Sequence, residues 1–276
     1  MIIQFVCVIN KYHAHIFLIF FEVNTMKTDI YKSDSFKNHN IPFLFNKDIV
    51  EYDMKDAGYS LVQEFDLLPK NIIDNLGKMK KKQRTIEIGK IQGNDEVFNK
   101  NLQQSFSDAR KLFFEINDID INEVLSIKKD AIFLNKRCRT TKLGEYIDFR
   151  PKHEYTSYIQ LQRLEFYYSP EQIDIKGISD ELLEYHKDYM IKFICQFFRK
   201  METSSDEDVI EFTKRFIDKY KRRKLEVGYY REFDFSSKYR TNTGELYEEF
   251  WEEEKGELNI SYNFQNILLK FIQIPL

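Results

Sequence analysis

A charged turn separates two apolar runs in Val124-Leu125-Ser126-Ile127-Lys128-Lys129-Asp130-Ala131-Ile132-Phe133-Leu134. Aliphatic and aromatic residues on both sides of a short polar segment are typical of a β-hairpin. We therefore predict strands at 124–127 and 131–134, with Lys128, Lys129 and Asp130 at the turn. A hairpin in this position indicates an antiparallel sheet.

The segment upstream of the hairpin alternates between strand and helix patterns. Residues 49–52 predict a short strand, which is followed by Asp53. Apolar residues at helical spacing then run from Ala57 to Phe65, before the stop at Pro69. Residues 101–116 repeat apolar side chains every three to four positions, which predicts an amphipathic helix.

The segment downstream is rich in strand-forming residues and then becomes helical. We predict strands at 155–161, 164–168 and 173–175. From residue 179 the apolar period changes to that of a long helix ending near Met201, and Ser205 resembles the cap of a second helix. Strands followed by helices predict an α+β fold with a helical C-terminal subdomain.

Composition excludes several classes of protein. The 276 residues are 42% hydrophobic and 32% charged, with 9 Gly and 5 Pro, which is typical of a folded globular chain. The 25 Phe and 17 Tyr, together with abundant Lys, Ile and Asn, suggest an AT-rich genome. Three distant cysteines predict neither a disulfide framework nor a structural zinc site, and they favour a reducing cytoplasm. The net charge of -3 means that any nucleic-acid surface must come from local basic clusters.

The N-terminus contains two apolar runs, at residues 2–9 and 16–21, each too short for a membrane helix. No basic residue precedes the first run, so a signal peptide is not favoured. Met26 fits a start site. Our hypothesis is that residues 1–25 are not native or are dispensable, and the alternative is an ordinary pair of strands.

Asp53 and Asp130 are the candidate catalytic residues. If their strands are neighbours in one sheet, the two carboxylates converge at its rim, where mutual repulsion is relieved by a divalent cation. A pair of such ions can drive phosphoryl transfer. The plainer alternative is that Asp53 is a helix N-cap and Asp130 an ordinary turn residue.

Three segments carry a resemblance to palm-domain nucleic-acid polymerases of family B. Residues 50–61 resemble motif A, in which a strand ends in a metal-binding Asp and turns into a helix. Asp130-Ala131-Ile132-Phe133 is similar to the end of motif C, and Lys176-Gly177 is similar to the element that leads into the thumb. The resemblance covers roughly residues 48–225, in the family B order.

The resemblance implies a fold, a mechanism and a division of the chain. It implies a palm-like antiparallel sheet with packed helices and reduced fingers at 48–178, a helical thumb-like subdomain with an acidic tail at 179–276, and an N-terminal extension at 1–47. Asp53 and Asp130 would bind Mg²⁺ or Mn²⁺. Primer-template nucleic acid and nucleoside triphosphates would be the partners in the cytoplasm, with a replication protein as a further expected partner and no membrane.

The chain also departs from that family. Lys128 replaces the first Asp of motif C, and the span between the motifs leaves little room for fingers. Family B places a Tyr five residues after the motif A Asp, where it selects the sugar. Here that position is Gly58, and Tyr59 follows it. An Asp followed by Gly at this spacing resembles the single-subunit RNA polymerases, so the product could be DNA or RNA.

Basic clusters supply most of the remaining predicted binding residues. Gly58, Tyr59, Lys81, Lys82 and Arg84 are assigned to the nucleotide. Lys128, Lys129, Lys176, Arg222 and Arg223 are assigned to the nucleic-acid backbone, because lysine and arginine neutralise phosphates. Each cluster is also compatible with a solvated face.

Other enzyme classes lack support in this sequence, which contains no GxSxG, P-loop, GxGxxG or HExxH motif. The sequence therefore predicts a template-directed nucleotidyltransferase similar to DNA polymerases. The alternatives are a non-catalytic nucleic-acid-binding palm derivative and a phage structural or interaction protein.

Overall fold

The computed structural model describes residues 30–161, 164–177, 180–222 and 224–225, and of residues 180–190, 217, 220 and 221 it describes the backbone. The strands are β1 (Ser35–Lys37), β2 (Phe43–Leu44), β3 (Ile49–Met54), β4 (Val124–Lys128), β5 (Ala131–Leu134), β6 (Phe149–Tyr155), β7 (Ser157–Leu161), β8 (Leu164–Ser169) and β9 (Gln172–Lys176). The α-helices are α1 (Ala57–Glu64), α2 (Lys70–Gly77), α3 (Lys81–Asn94), α4 (Glu96–Ile116), α5 (Asp180–Thr203) and α6 (Asp206–Lys221). The predicted α+β class is confirmed.

The strands form two antiparallel sheets. Sheet 1 has the order β1-β4-β5-β3-β6, and sheet 2 has the order β2-β7-β8-β9. The predicted hairpin is present as β4 and β5, which are joined by Lys129 and Asp130. The positive φ of Lys129, 57°, lets the chain reverse in so few residues.

The two sheets lie face to face between two layers of helices. Alternate residues of β3 divide between the layers: Val50, Tyr52 and Met54 pack with α1–α4, whereas Ile49 packs with residues of sheet 2. Phe133 of sheet 1 stacks on Tyr167 of sheet 2, with ring centroids 4.3 Å apart. Strand β5 of sheet 1 is therefore buried on both faces, which explains why its sequence is a continuous apolar run.

The helices α5 and α6 cover the outer face of sheet 2. Phe193 and Phe197 are buried in one cluster with Phe166 and Tyr168 of β8. Ser205 begins α6, because its hydroxyl accepts a hydrogen bond from the Asp208 amide at 3.3 Å. The helical C-terminal segment expected from the sequence is present, and these contacts place it against sheet 2.

Several elements differ from the sequence-based expectations. The strand predicted to end at residue 52 continues to Met54, so Asp53 lies inside β3 and is not a helix N-cap. The residue at that cap is Asp56. Residues 35–37 and 43–44, expected in the N-terminal extension, form β1 and β2. The expectations for residues 1–25 and for the acidic tail lie outside the described residues.

Candidate functional site

Asp53 and Asp130 meet at one end of the pairing between β3 and β5. In this antiparallel register Asp53 lies opposite Ala131, the residue that follows Asp130. The Met54 amide donates a hydrogen bond to the Asp130 carbonyl oxygen at 3.1 Å. We call Asp53 and Asp130 the aspartate pair.

Arg110 of α4, whose side chain is fully buried, anchors the turn that carries Asp130. Its guanidinium donates to the carbonyl oxygens of Lys129 at 2.7 Å and Tyr31 at 2.6 Å, and to the carboxylate of Asp34 at 3.0 Å. Lys129 in turn donates its amide to the Asp34 carbonyl at 2.8 Å. A hairpin turn with this many contacts keeps Asp130 in a defined position.

The environment of Asp130 disfavours its ionised form. Burial raises the pKa of Asp130, and the negative charge of Asp53 raises it further. Both effects disfavour the ionised carboxylate, so a nearby cation stabilises it. Mg²⁺ needs only one or two protein carboxylates and completes its shell with water and substrate phosphates. The residue types of the aspartate pair therefore fit Mg²⁺ or Mn²⁺.

A β-bulge in β6 brings a lysine to these carboxylates. Tyr52 pairs with Pro151 and Glu51 pairs with His153, so Lys152 is the extra residue. Its ammonium lies 3.4 Å from Glu51 Oε1 and 4.0 Å from Asp53 Oδ1. Burial lowers the pKa of Lys152, but Glu51, Asp53 and Asp130 outweigh burial and the pKa is raised.

Further cations surround the aspartate pair. Arg150 lies directly opposite Asp53 in the β3–β6 register, and its side chain is 55% exposed. Lys129 precedes Asp130 and is exposed, as is Lys55, two residues after Asp53. Among the described strands β6 lies at the edge of sheet 1, where charged residues and Pro151 are tolerated because no described strand pairs beyond it. This end of the pairing between β3 and β5 combines carboxylates with exposed cations, an arrangement suited to binding metal ions and phosphates.

A second polar group lies between the sheets, on the same face of β3. Glu51 of β3, His153 of β6 and Asp174 of β9 each offer one ligand atom, and these atoms all lie within 4.8 Å of one another. We call them the Glu51–His153–Asp174 triad. Tyr155 donates its hydroxyl to Asp174 and lies 3.1 Å from Glu51 Oε2. Burial raises the pKa of Tyr155, and Asp174 and Glu51 raise it further, so the phenol stays protonated.

The residues predicted to bind the nucleotide belong to the helical layer. A Cβ on Gly58 would lie 3.7 Å from Ile88 of α3. Tyr59 donates its hydroxyl to the Ile73 carbonyl at 3.2 Å and lies beneath the Arg84 guanidinium. Arg84 also forms an ion pair with Asp56, three residues after Asp53. Lys81 and Lys82 are exposed in the first turn of α3, next to Arg84.

The residues predicted to bind the nucleic-acid backbone are dispersed. Lys128 forms an ion pair with Glu165, which is fully buried in sheet 2. Lys176 lies over the Phe133 ring, 5.8 Å from its centroid. Arg222 is exposed and pairs with Asp218 at 2.8 Å. Arg223 lies outside the described residues. Lys128 and Lys176 contact the interior of the protein, and Lys129 is the member next to the aspartate pair.

Sequence reasoning missed Arg150, Lys152 and the Glu51–His153–Asp174 triad. Their positions depend on the bulge in β6 and on the contact between the edges of two sheets, and the second of these has no signature in a single sequence. The Arg-Pro-Lys-His run at 150–153 was the available signal, because Pro within a strand marks an edge or a bulge.

Among the described residues, no helix combines the length and the apolar composition needed to cross a membrane.

Comparison with known proteins identifies the family of this chain. No curated protein matches the chain. A family model described as bacteriophage PBS1 gene 130 protein matches residues 26–276. Since this match covers most of the sequence, the chain belongs to the bacteriophage PBS1 gene 130 protein family.

Proposed function

We propose that this phage protein is a metal-dependent nucleotidyltransferase that extends the 3′-hydroxyl of a primer on a nucleic-acid template. The observation that carries the proposal is the pairing of β3 with β5, which brings together two aspartates that are distant in sequence. The resemblance of the two segments to motif A and motif C supports the same function. A replication protein is a natural partner for such an activity.

Asp53 and Asp130 are the residues that would hold Mg²⁺ or Mn²⁺. When bound, such ions activate the attacking hydroxyl and stabilise the leaving oxygen of phosphoryl transfer. Lys152 contributes a positive charge 4.0 Å from Asp53, and that charge opposes the rise in the pKa of Asp130. The chain therefore supplies both the ligands and part of the charge balance.

Exposed cations would orient the substrates. Arg150 and Lys129 flank the aspartate pair and are suited to phosphate oxygens of the primer-template. Lys81 and Lys82 are suited to the triphosphate, because Arg84 connects the first turn of α3 to the end of β3 through Asp56. Holding both substrates in line is the larger part of catalysis in phosphoryl transfer.

Primer extension by the full chain tests this proposal, with Mg²⁺ or Mn²⁺ and separate pools of deoxyribonucleotides and ribonucleotides. We expect extension by the wild type and a loss of at least about 100-fold in Asp53→Asn and Asp130→Asn. Asp74→Asn is the matched control, because Asp74 is an exposed residue of α2 paired with Lys70. Far-UV circular dichroism establishes that each variant is folded.

The outcomes separate the three functions considered. Extension that survives both aspartate substitutions would exclude the aspartate pair as the catalytic centre. No extension, together with salt-sensitive duplex binding that Arg150→Gln weakens, would indicate a non-catalytic nucleic-acid-binding protein. The absence of both extension and duplex binding would indicate a structural or interaction protein.

A further inference from the structure

We propose that the Glu51–His153–Asp174 triad is a binding site for a transition-metal ion of the Zn²⁺ type, distinct from the aspartate pair, which connects sheet 1 to sheet 2. The inference is independent of nucleotidyl transfer. It rests on the ligand types, on the burial of Glu51 and on the strands from which the ligands come.

The ligands converge from three strands at one edge of the sandwich. Glu51 and His153 lie opposite each other in the β3–β6 register, and Asp174 comes from β9, which is at the edge of sheet 2 among the described strands. Their ligand atoms lie within 4.8 Å of one another. A tetrahedral Zn²⁺ with bonds of about 2.1 Å needs ligand atoms about 3.4 Å apart. Side-chain rotations would close that difference when the ion binds.

The bulge in β6 gives this edge its composition. In a regular strand Lys152 and His153 would point to opposite faces. Because Lys152 is the inserted residue, both it and His153 reach Glu51. A β-bulge re-aims side chains in this way and is often found beside functional sites.

The charge around the triad also favours a bound cation. Glu51 is 2% exposed, and within the described part of the chain its carboxylate contacts one cation, Lys152 at 3.4 Å, and one neutral donor, Tyr155. Asp174 receives hydrogen bonds from two neutral groups, the Tyr155 hydroxyl and the Gln172 amide. Carboxylates at a buried position are costly unless positive charge compensates them, and a divalent ion would supply that charge.

Neighbouring side chains hold the ligands as an outer shell does in metal sites. The Gln172 amide donates a hydrogen bond to Asp174 Oδ2 at 2.5 Å, so it restrains that ligand. Tyr155 connects Asp174 with Glu51. Such contacts fix the orientation of ligating groups. One imidazole with two carboxylates suits Zn²⁺ better than Mg²⁺, which prefers oxygen ligands.

Calorimetric titration of the EDTA-treated full chain with ZnCl₂ tests the site. We expect one equivalent to bind the wild type and to raise its Tm. His153→Gln and Glu51→Gln should each weaken binding by more than about 10-fold and abolish the rise in Tm. His39→Gln is the matched control, because His39 is exposed and its ring contacts a glutamine amide, that of Gln160, at 2.9 Å.

Asp130→Asn separates this site from the aspartate pair, since we expect that variant to bind Zn²⁺ like the wild type. The Tm of each metal-free variant establishes that it is folded, and Asp174→Asn replaces any variant that is not. The proposal would be overturned if the wild type bound no Zn²⁺. It would equally fail if the triad variants bound Zn²⁺ as tightly as His39→Gln does, or if Asp130→Asn alone removed binding.

Discussion

Arg110 is the residue on which the geometry of the hairpin turn depends. Its buried guanidinium serves two carbonyl oxygens and the Asp34 carboxylate. Arg110→Met keeps an apolar stem but removes every donor, so we expect a loss of about 3 kcal/mol in the free energy of unfolding, measured in urea. Arg215→Met removes an exposed ion pair on α6 and should cost less than about 1 kcal/mol. Equal losses in the two variants would contradict the anchoring role.

Cys138 gives a prediction on pH at the same scale. Burial raises the pKa of its thiol to about 11 from 9.0, although a hydrogen bond with Tyr52 lowers it. At pH 8.5 the folded protein should therefore alkylate at Cys138 about 100-fold more slowly than the urea-unfolded chain, as measured by mass spectrometry. The folded pKa is the higher one, so the contribution to stability is complete below pH 9 and is lost as the pH rises towards 11. Alkylation at equal rates in the two states would refute the shift.

At the scale of elements, α4 of the helical layer begins at a capping residue. Asp95 caps this helix, since its carboxylate accepts a hydrogen bond from the Phe98 amide at 2.9 Å. Asp95→Ala should lower the free energy of unfolding by about 1 kcal/mol, whereas Asp95→Asn, which retains the acceptor, should change it by a few tenths. Urea unfolding of both variants measures the difference. The cap would be unimportant if Asn and Ala behaved alike.

At the scale of the whole molecule, the contact between the two sheets should make them unfold together. Phe133 of sheet 1 is fully buried and stacks on Tyr167 of sheet 2. We expect Phe133→Ala to cost about 3–5 kcal/mol. Its unfolding should remain one transition, with coincident far-UV and near-UV circular dichroism. Phe43→Ala, at a residue 42% exposed, should cost less than half as much. Two separate transitions would show that the sheets fold independently.

The elements that were predicted from the sequence depend on local patterns. The hairpin of β4 and β5, the strand at β3 and the helices α1, α4 and α6 each follow from apolar spacing or a capping residue within the segment itself. The helices α2 and α3 were missed because they are short or largely polar, and their few apolar residues gain stability from the neighbouring helices. The strands β1 and β2 are too short to have a pattern, and they exist only because β4 and β7 offer pairing partners.

The sequence by itself determined the α+β class, the hairpin that presents Asp130 and the apolar strand that carries Asp53, because side-chain periodicity reports which faces of an element are buried. Only the tertiary structure decided that β3 pairs with β5, that the strands divide into two sheets, and that Lys152, His153 and Asp174 gather around Glu51. The physical reason is that strand pairing and the approach of sheet edges join residues distant in sequence. The free energy that stabilises these pairings comes from packing between layers, and no local segment contains that packing.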